Sequence, residues 1–155
     1  IFKNKINFVS LRMFNVYGIG QNLLNLKQGM VSIYLAQAVF NNDIVIKGSL
    51  HRFRDFIYID DVVNTWITLM KNNSINNTAI NLGTGKKTYV HELLSLIQNL
   101  QPHKKLVEIE GTKGDQSGIY ACTKRLSKIV NVEDFVNLEI GIKLFHDSIV
   151  NSQNL

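Results

Sequence analysis

One cysteine and one proline stand among the 155 residues. The single thiol, Cys122, excludes an internal disulfide and suits a reducing compartment, so a cytoplasmic protein is expected. No apolar run approaches the roughly 18 residues that a membrane span needs, and none reads as a signal peptide, so no membrane partner is expected. The four histidines, His51, His91, His103 and His146, show no ligand spacing, which argues against a metal site. A nucleophile elbow of the form G-x-S-x-G is missing too. The net charge of +5 suggests anionic partners. Its lysines and arginines, however, are scattered in short pairs such as Lys86-Lys87 and Lys124-Arg125. Without a basic stripe interleaved with aromatics, nucleic acid is not the expected partner, and a small anion such as a nucleotide diphosphate fits equally well.

What is present is a globular composition, 45% hydrophobic and 19% charged. Strand patterns at Ile6–Phe14, Asp43–Gly48, Arg54–Ile59, Ala79–Gly83 and Lys105–Glu110 alternate with helical ones, which argues an α/β fold. Helices are expected over 29–41, from Asp60 or Asp61 as cap, over about 88–100, and from an Asn137 cap to the end. In the second, Val62, Val63, Trp66, Ile67 and Met70 share helical spacing and are expected to face the core. In the last, the expected buried face is Leu138, Ile142, Phe145 and Ile149.

The stretch INLGTGKKTYV, residues 80–90, looks like a phosphate-binding loop but fails the spacing. Counting back from Gly85 places Ile80 where the first glycine belongs, and counting forward places Lys87 where a hydroxyl belongs. Thr88 likewise breaks G-x-G-x-x-G. The glycines are expected to serve a strand-to-helix turn.

Four blocks in order, LRMFNVYGIGQ, IVIKGSLHRFRDFIYIDDVVNTWITLM, AINLGTGKKTYVHELL and GTKGDQSGIYACTKRL, resemble the C-terminal half of the NAD-dependent epimerase/dehydratase family. These are the extended short-chain dehydrogenases of nucleotide sugars, of the UDP-glucose 4-epimerase kind. The likeness runs from about Ile6 to Ile149. It implies the late strands and helices of a Rossmann-type sheet, residues about 1–18 and 54–86, plus a small C-terminal α/β substrate-binding part, about 19–53 and 87–155. The N-x-G-T-G turn is chiefly architectural in that family.

The resemblance also implies roles. Asn15 matches an asparagine whose amide bonds the substrate diphosphate; as a bare sequence feature it equally ends a strand. Arg54 matches an arginine that clamps the diphosphate, the alternative being a structural ion pair with Asp55 or Asp61. Asp115 matches an acid that receives ribose hydroxyls, or is an ordinary loop aspartate. Gly29 and Met30 match backbone that touches the nucleotide, and Ile44, Val45 and Ile46 a strand whose main chain reads the base. Phe14 matches a position beside the nicotinamide of the NAD cofactor, or is simply a buried aromatic.

Three departures leave the nucleotide open. Lys47 replaces an aromatic that stacks on the base, Thr112 replaces an arginine, and Cys122 replaces the aspartate of A-D-x-x-K. The glycine-rich NAD loop and a catalytic Tyr-x-x-x-Lys are missing. Tyr120 and Lys124 have that spacing but lie in a block where relatives carry no catalytic tyrosine. Together with a first residue, Ile1, that is not methionine, this reads as the substrate-binding half of a longer enzyme, catalytically inactive alone and homodimeric when complete. A stand-alone nucleotide-sugar binding module is the other reading.

Overall fold

The computed structural model describes residues 7–25 and 29–152. It is a mixed α/β arrangement, as the alternating patterns require. Strand β1 (Val9–Met13) pairs in parallel with β6 (Thr78–Leu82), and β2 (Asn15–Tyr17) in parallel with β5 (Phe56–Tyr58). β3 (Asp43–Lys47) pairs in parallel with β8 (Lys105–Ile109), and β4 (Phe53–Arg54) antiparallel with β7 (Thr88–Tyr89). The helices are α1 (Met30–Phe40), α2 (Ile59–Met70), α3 (Val90–Leu100) and α4 (Leu138–Ser152). Two short 3-10 turns, Leu126–Lys128 and Val132–Asp134, precede α4.

The apolar stretch from β1 into β2 changes partner at Phe14. The Phe14 amide still donates to the Leu82 carbonyl at 3.0 Å, whereas the Asn15 amide donates to the Asp55 carbonyl at 3.0 Å. One chain segment thereby serves two ladders.

Two cores result. The first gathers Tyr17, the inner faces of α1 and α3, Ile44 and Ile46 of β3, and Ile142, Phe145 and Ile149 of α4. The second gathers Ile57, Val62, Leu69, Ile80, Leu82 and Leu126. β5 is the wall between them: Phe56 and Tyr58 belong to the first, Ile57 to the second, because successive strand side chains point to opposite faces.

α4 follows expectation, with the Asn137 side chain accepting the Glu139 amide at 2.9 Å. Leu138, expected inside, is only partly buried, and Gly141 takes a buried place instead because the Tyr17 ring lies directly against it. The extended run expected over 54–59 is broken at Asp55 and ends at Tyr58, so Ile59 already opens α2. This displaces the expected cap. Neither Asp60 nor Asp61 caps α2; the capping position falls on Tyr58, and both carboxylates lie in the first turn, where the positive end of the helix dipole favours them. Asp61 turns inward and accepts the Val136 amide at 2.9 Å.

The expected inner face of α2 is corrected as well. Val62 is buried, but the other inward residues are Asp61, Thr65 and Leu69. Val63, Trp66, Ile67 and Met70 are 47%, 48%, 43% and 80% exposed. The apolar residues of this helix do fall on one side, but only its margin, Val62 and Leu69, is buried, and the rest of that side turns outward. The exposed side continues into a cleft of about 550 Å3 that Phe8, Val9, Leu11, Trp66 and Met70 help to line, beside the β1 edge that faces away from β6.

Candidate functional site

The turn after β6 is already occupied. Asp55 is fully buried, and its Oδ1 accepts the Thr84 amide at 2.8 Å and the Thr84 hydroxyl at 2.7 Å. Its Oδ2 accepts the amides of Gly85 at 2.8 Å and Ala121 at 3.0 Å. A Cβ on Gly83 would lie 2.7 Å from Oδ2, and Gly85 has φ +77°, so both glycines are required by this packing. The donors that a phosphate loop offers to its ligand are here given to the chain's own carboxylate.

Asp55 therefore does not pair with Arg54. The Arg54 guanidinium bonds the Phe53 carbonyl at 2.8 Å and the Gln116 carbonyl at 3.2 Å, and its Nη2 lies 3.7 Å from Oδ1 of Asp115. The other oxygen of Asp115, Oδ2, is paired with Nη1 of Arg52. Arg52 is buried, with Nε on the Ser49 carbonyl at 2.9 Å and Nη2 on the Lys47 carbonyl. Sequence reading missed Arg52. Its signal was the two-residue spacing to Arg54, which in an extended segment places both on one face.

This cluster borders a cavity of about 360 Å3 lined by Met30, Tyr34 and Gln37 of α1, Lys47 of β3, Arg52 and Asp115, among others. Burial raises the Tyr34 hydroxyl pKa above its ordinary value, against the opposing pull of the Arg52 charge. The main-chain amide of Val45 donates to the Gln37 side chain at 2.7 Å, so that edge of β3 already has an internal partner. Ile44 and Ile46 are buried with the first core.

Asn15 shares a small crevice with Gly29 and with Met30, which also lines the cavity of about 360 Å3. It lines a cavity of about 450 Å3 with Arg12, Met13, Phe14, Asn81 and Ile119. Its carboxamide nitrogen donates to the Asp55 carbonyl at 3.0 Å, which uses one of its two protons. Arg54 lines neither cavity, but the Asp55 carbonyl that Asn15 holds belongs to the residue next to it. Gly29 and Met30 stand at the start of α1, Gly29 exposed and Met30 at the rim of the 360 Å3 cavity. Tyr120 is a surface residue whose ring, with that of Phe53, packs under the Lys87 ammonium at 4.7 and 5.1 Å. Among the described residues, no group of three or more His, Cys, Asp or Glu could hold a metal, and no helix is long and apolar enough to cross a membrane.

The model of the NAD dependent epimerase/dehydratase family matches residues 2–83, more than half of the chain. The chain belongs to that family. Among members it resembles the dTDP-4-dehydro-6-deoxyglucose reductase of Escherichia coli, with 32% identity over 90 residues, 58% of this chain and 28% of the relative. It resembles UDP-glucuronic acid decarboxylase 1 of Danio rerio at 30% identity over 133 residues, 84% of this chain and 31% of the relative. The UDP-glucose 4-epimerase of Thermotoga maritima, solved with UDP-glucose, superposes with a TM-score of 0.85 at 26% identity, over 96% of this chain and 47% of that one. The chain thus spans about a third of the curated relatives' length and under half of that structure's. As an NAD-dependent epimerase/dehydratase family member it has the mixed α/β architecture with parallel strands that this likeness requires.

Proposed function

We propose that this chain is the substrate-binding half of a nucleotide-sugar epimerase or dehydratase. The complete enzyme oxidises a sugar carbon transiently with NAD, then returns the hydride to the opposite face or proceeds to elimination. The observation that carries the reading is the convergence of two guanidiniums, Arg52 and Arg54, on Asp115, which with Arg52 lines a cavity, in a chain of this family. Guanidinium is the side chain best matched to the paired oxygens of a diphosphate. In this reading Arg54 holds the diphosphate, Asn15 adds its second amide proton, and Asp115 faces the ribose. Gly29, Met30 and the Ile44–Ile46 main chain surround the nucleoside, and Phe14 lies toward the nicotinamide.

The NAD-binding half belongs against the outward edge of β1 and the apolar side of α2. Parallel strand pairs are ordinarily buried on both faces within larger sheets, and Val63, Trp66, Ile67 and Met70 supply an apolar surface for the neighbouring element. Residues about 1–18 and 54–86 then complete the cofactor sheet, while about 19–53 and 87–155 bind substrate.

Titration calorimetry of the 155-residue chain with UDP is the test. Binding that Arg54→Ala abolishes supports the reading, and failure of UDP, CDP, GDP and dTDP alike to bind overturns it. Turnover of UDP-glucose or UDP-N-acetylglucosamine by the chain alone would contradict its assignment as a half without catalytic machinery.

A further inference from the structure

We propose that two copies of this chain join edge to edge through β8. The pair is antiparallel and two-fold, centred on Val107, and turns two short sheets into one of four strands.

Among the described residues, β8 pairs with β3 alone, and all five of its residues are exposed. An uncovered strand edge offers amides and carbonyls that another strand can take up. The existing ladder fixes which residues offer them. The Gly48 amide donates to the Ile109 carbonyl at 3.0 Å, so Lys105, Val107 and Ile109 turn their main-chain groups toward β3. Leu106 and Glu108 therefore turn theirs outward. At the opposite edge of this sheet the Val45 amide is already taken by the Gln37 side chain at 2.7 Å. β8 carries the open edge.

Charge complementarity selects the occupant. Lys104 and Lys105 stand at one end of the edge, Glu108 and Glu110 at the other. An antiparallel copy brings lysines to glutamates, whereas a parallel copy in register sets like charges side by side. The outward pair Leu106 and Glu108 also selects the register. Centred on Glu108, the strands would oppose two glutamates. Centred on Leu106, they would need the Lys104 amide, which the Gln101 carbonyl holds at 3.3 Å. Centred on Val107, Leu106 of each copy exchanges main-chain bonds with Glu108 of the other, and the two Val107 side chains meet on the axis. Lys104 then faces Glu110 of the copy; its ammonium spends one proton on the Asn41 carbonyl at 2.6 Å and keeps two. Two-fold closure ends assembly at the dimer, and a four-stranded sheet is sturdier than a two-stranded one. A ladder of this length is smaller than a standard interface of about 800 Å2 per partner, so the dimer is weak and concentration-dependent.

Sedimentation velocity of the 155-residue chain from about 10 μM to about 1 mM should show the mean mass rising toward that of two chains. Leu106→Pro removes an outward amide while leaving the β3 ladder its bonds, at an edge position where proline is tolerated. It should stay folded by thermal unfolding and associate about tenfold more weakly or worse. A second measurement reads the register. With Cys122→Ser as background, Val107→Cys should cross-link to its copy on mild oxidation, because the Cα atoms of such a pair lie about 4.5 Å apart. Lys105→Cys, which faces Ile109 of the copy, should not. A single-chain mass at every concentration overturns the proposal. So does a dimer that Leu106→Pro leaves intact, or cross-linking at position 105 equal to that at 107. A dimer lost on Met70→Lys instead belongs to the exposed side of α2 and overturns it too. No readout involves nucleotide, so the outcome is independent of the function proposed above.

Discussion

The Asp55 carboxylate takes the amide of Gly85 at 2.8 Å inside a glycine turn that resembles a phosphate loop. With Thr84 and Ala121 it collects three amides and one hydroxyl, which is the coordination such loops offer to a nucleotide. A phosphate could enter only by expelling a fully buried carboxylate. The turn therefore ties β6 to the segment ahead of β5 and to Ala121.

Replacing Asp55 by Ala leaves these donors without their acceptor in the interior. Unmet buried donors cost about 1–3 kcal/mol each before relaxation, so a loss on the order of 3 kcal/mol is expected. Urea unfolding of the two proteins measures it, and a loss below about 1 kcal/mol would contradict the anchoring role.

Lys86, in contrast, makes only an exposed pair with Glu133 at 3.6 Å. Lys86→Ala should leave stability within about 0.5 kcal/mol and UDP affinity unchanged. Loss of nucleotide binding on this substitution would restore the phosphate-loop reading of the turn.

Gly141 packs directly against the Tyr17 ring and hydroxyl. Gly141→Ala overfills that contact and should destabilise by about 1–3 kcal/mol despite the better helix propensity of alanine. Thermal unfolding that shows Gly141→Ala as stable as wild type would place slack between α4 and β2.

Asp61 is buried, and burial chiefly raises its pKa above the ordinary 3.8; the Val136 amide opposes the rise and Asp60 adds to it. The folded state then binds this proton more tightly than the unfolded state. The contribution of Asp61 therefore favours folding at low pH and is lost as pH climbs from the ordinary value through the raised one. Asp61→Asn keeps an acceptor for Val136 and should remove that component of the slope. Urea midpoints of the two proteins between about pH 4 and pH 7 should diverge with increasing pH, the variant gaining; parallel curves would refute the assignment.

Trp66 is the only tryptophan, and it lies on the exposed side of α2. In the 155-residue chain its fluorescence should be open to acrylamide. Covered by an NAD-binding half, it should shift to shorter wavelength and lose most of that access. Unchanged quenching in a protein carrying both halves would remove α2 from the interface.

Much of the fold was legible because strand and helix periods differ, and α3 and α4 presented single apolar stripes with polar flanks. α2 was misread because most of its apolar side turns outward, and period alone does not say which side meets the sheet. Tyr58 took the capping position because β5 runs straight into α2, a junction that propensity does not reveal. At the site, Arg54 and Asp115 were visible through the family blocks, and the structure brings them together with Arg52, which stood in the sequence unremarked. Asn15 and Arg54 border different surroundings, a distinction that depends on the partner switch at Phe14.

The three residues of β5 separate two interiors by alternation alone, and the site residues immediately before them share that alternation. Insert or delete one residue directly after Arg52, and the side chains that follow as far as Tyr58 exchange sides. Arg54 would leave its carboxylate, Asp55 its glycine turn, and Ile57 would trade places with an aromatic ring. The arginine cluster and the division of the interior are thus written in a single reading frame of side chains, and neither can slip without the other.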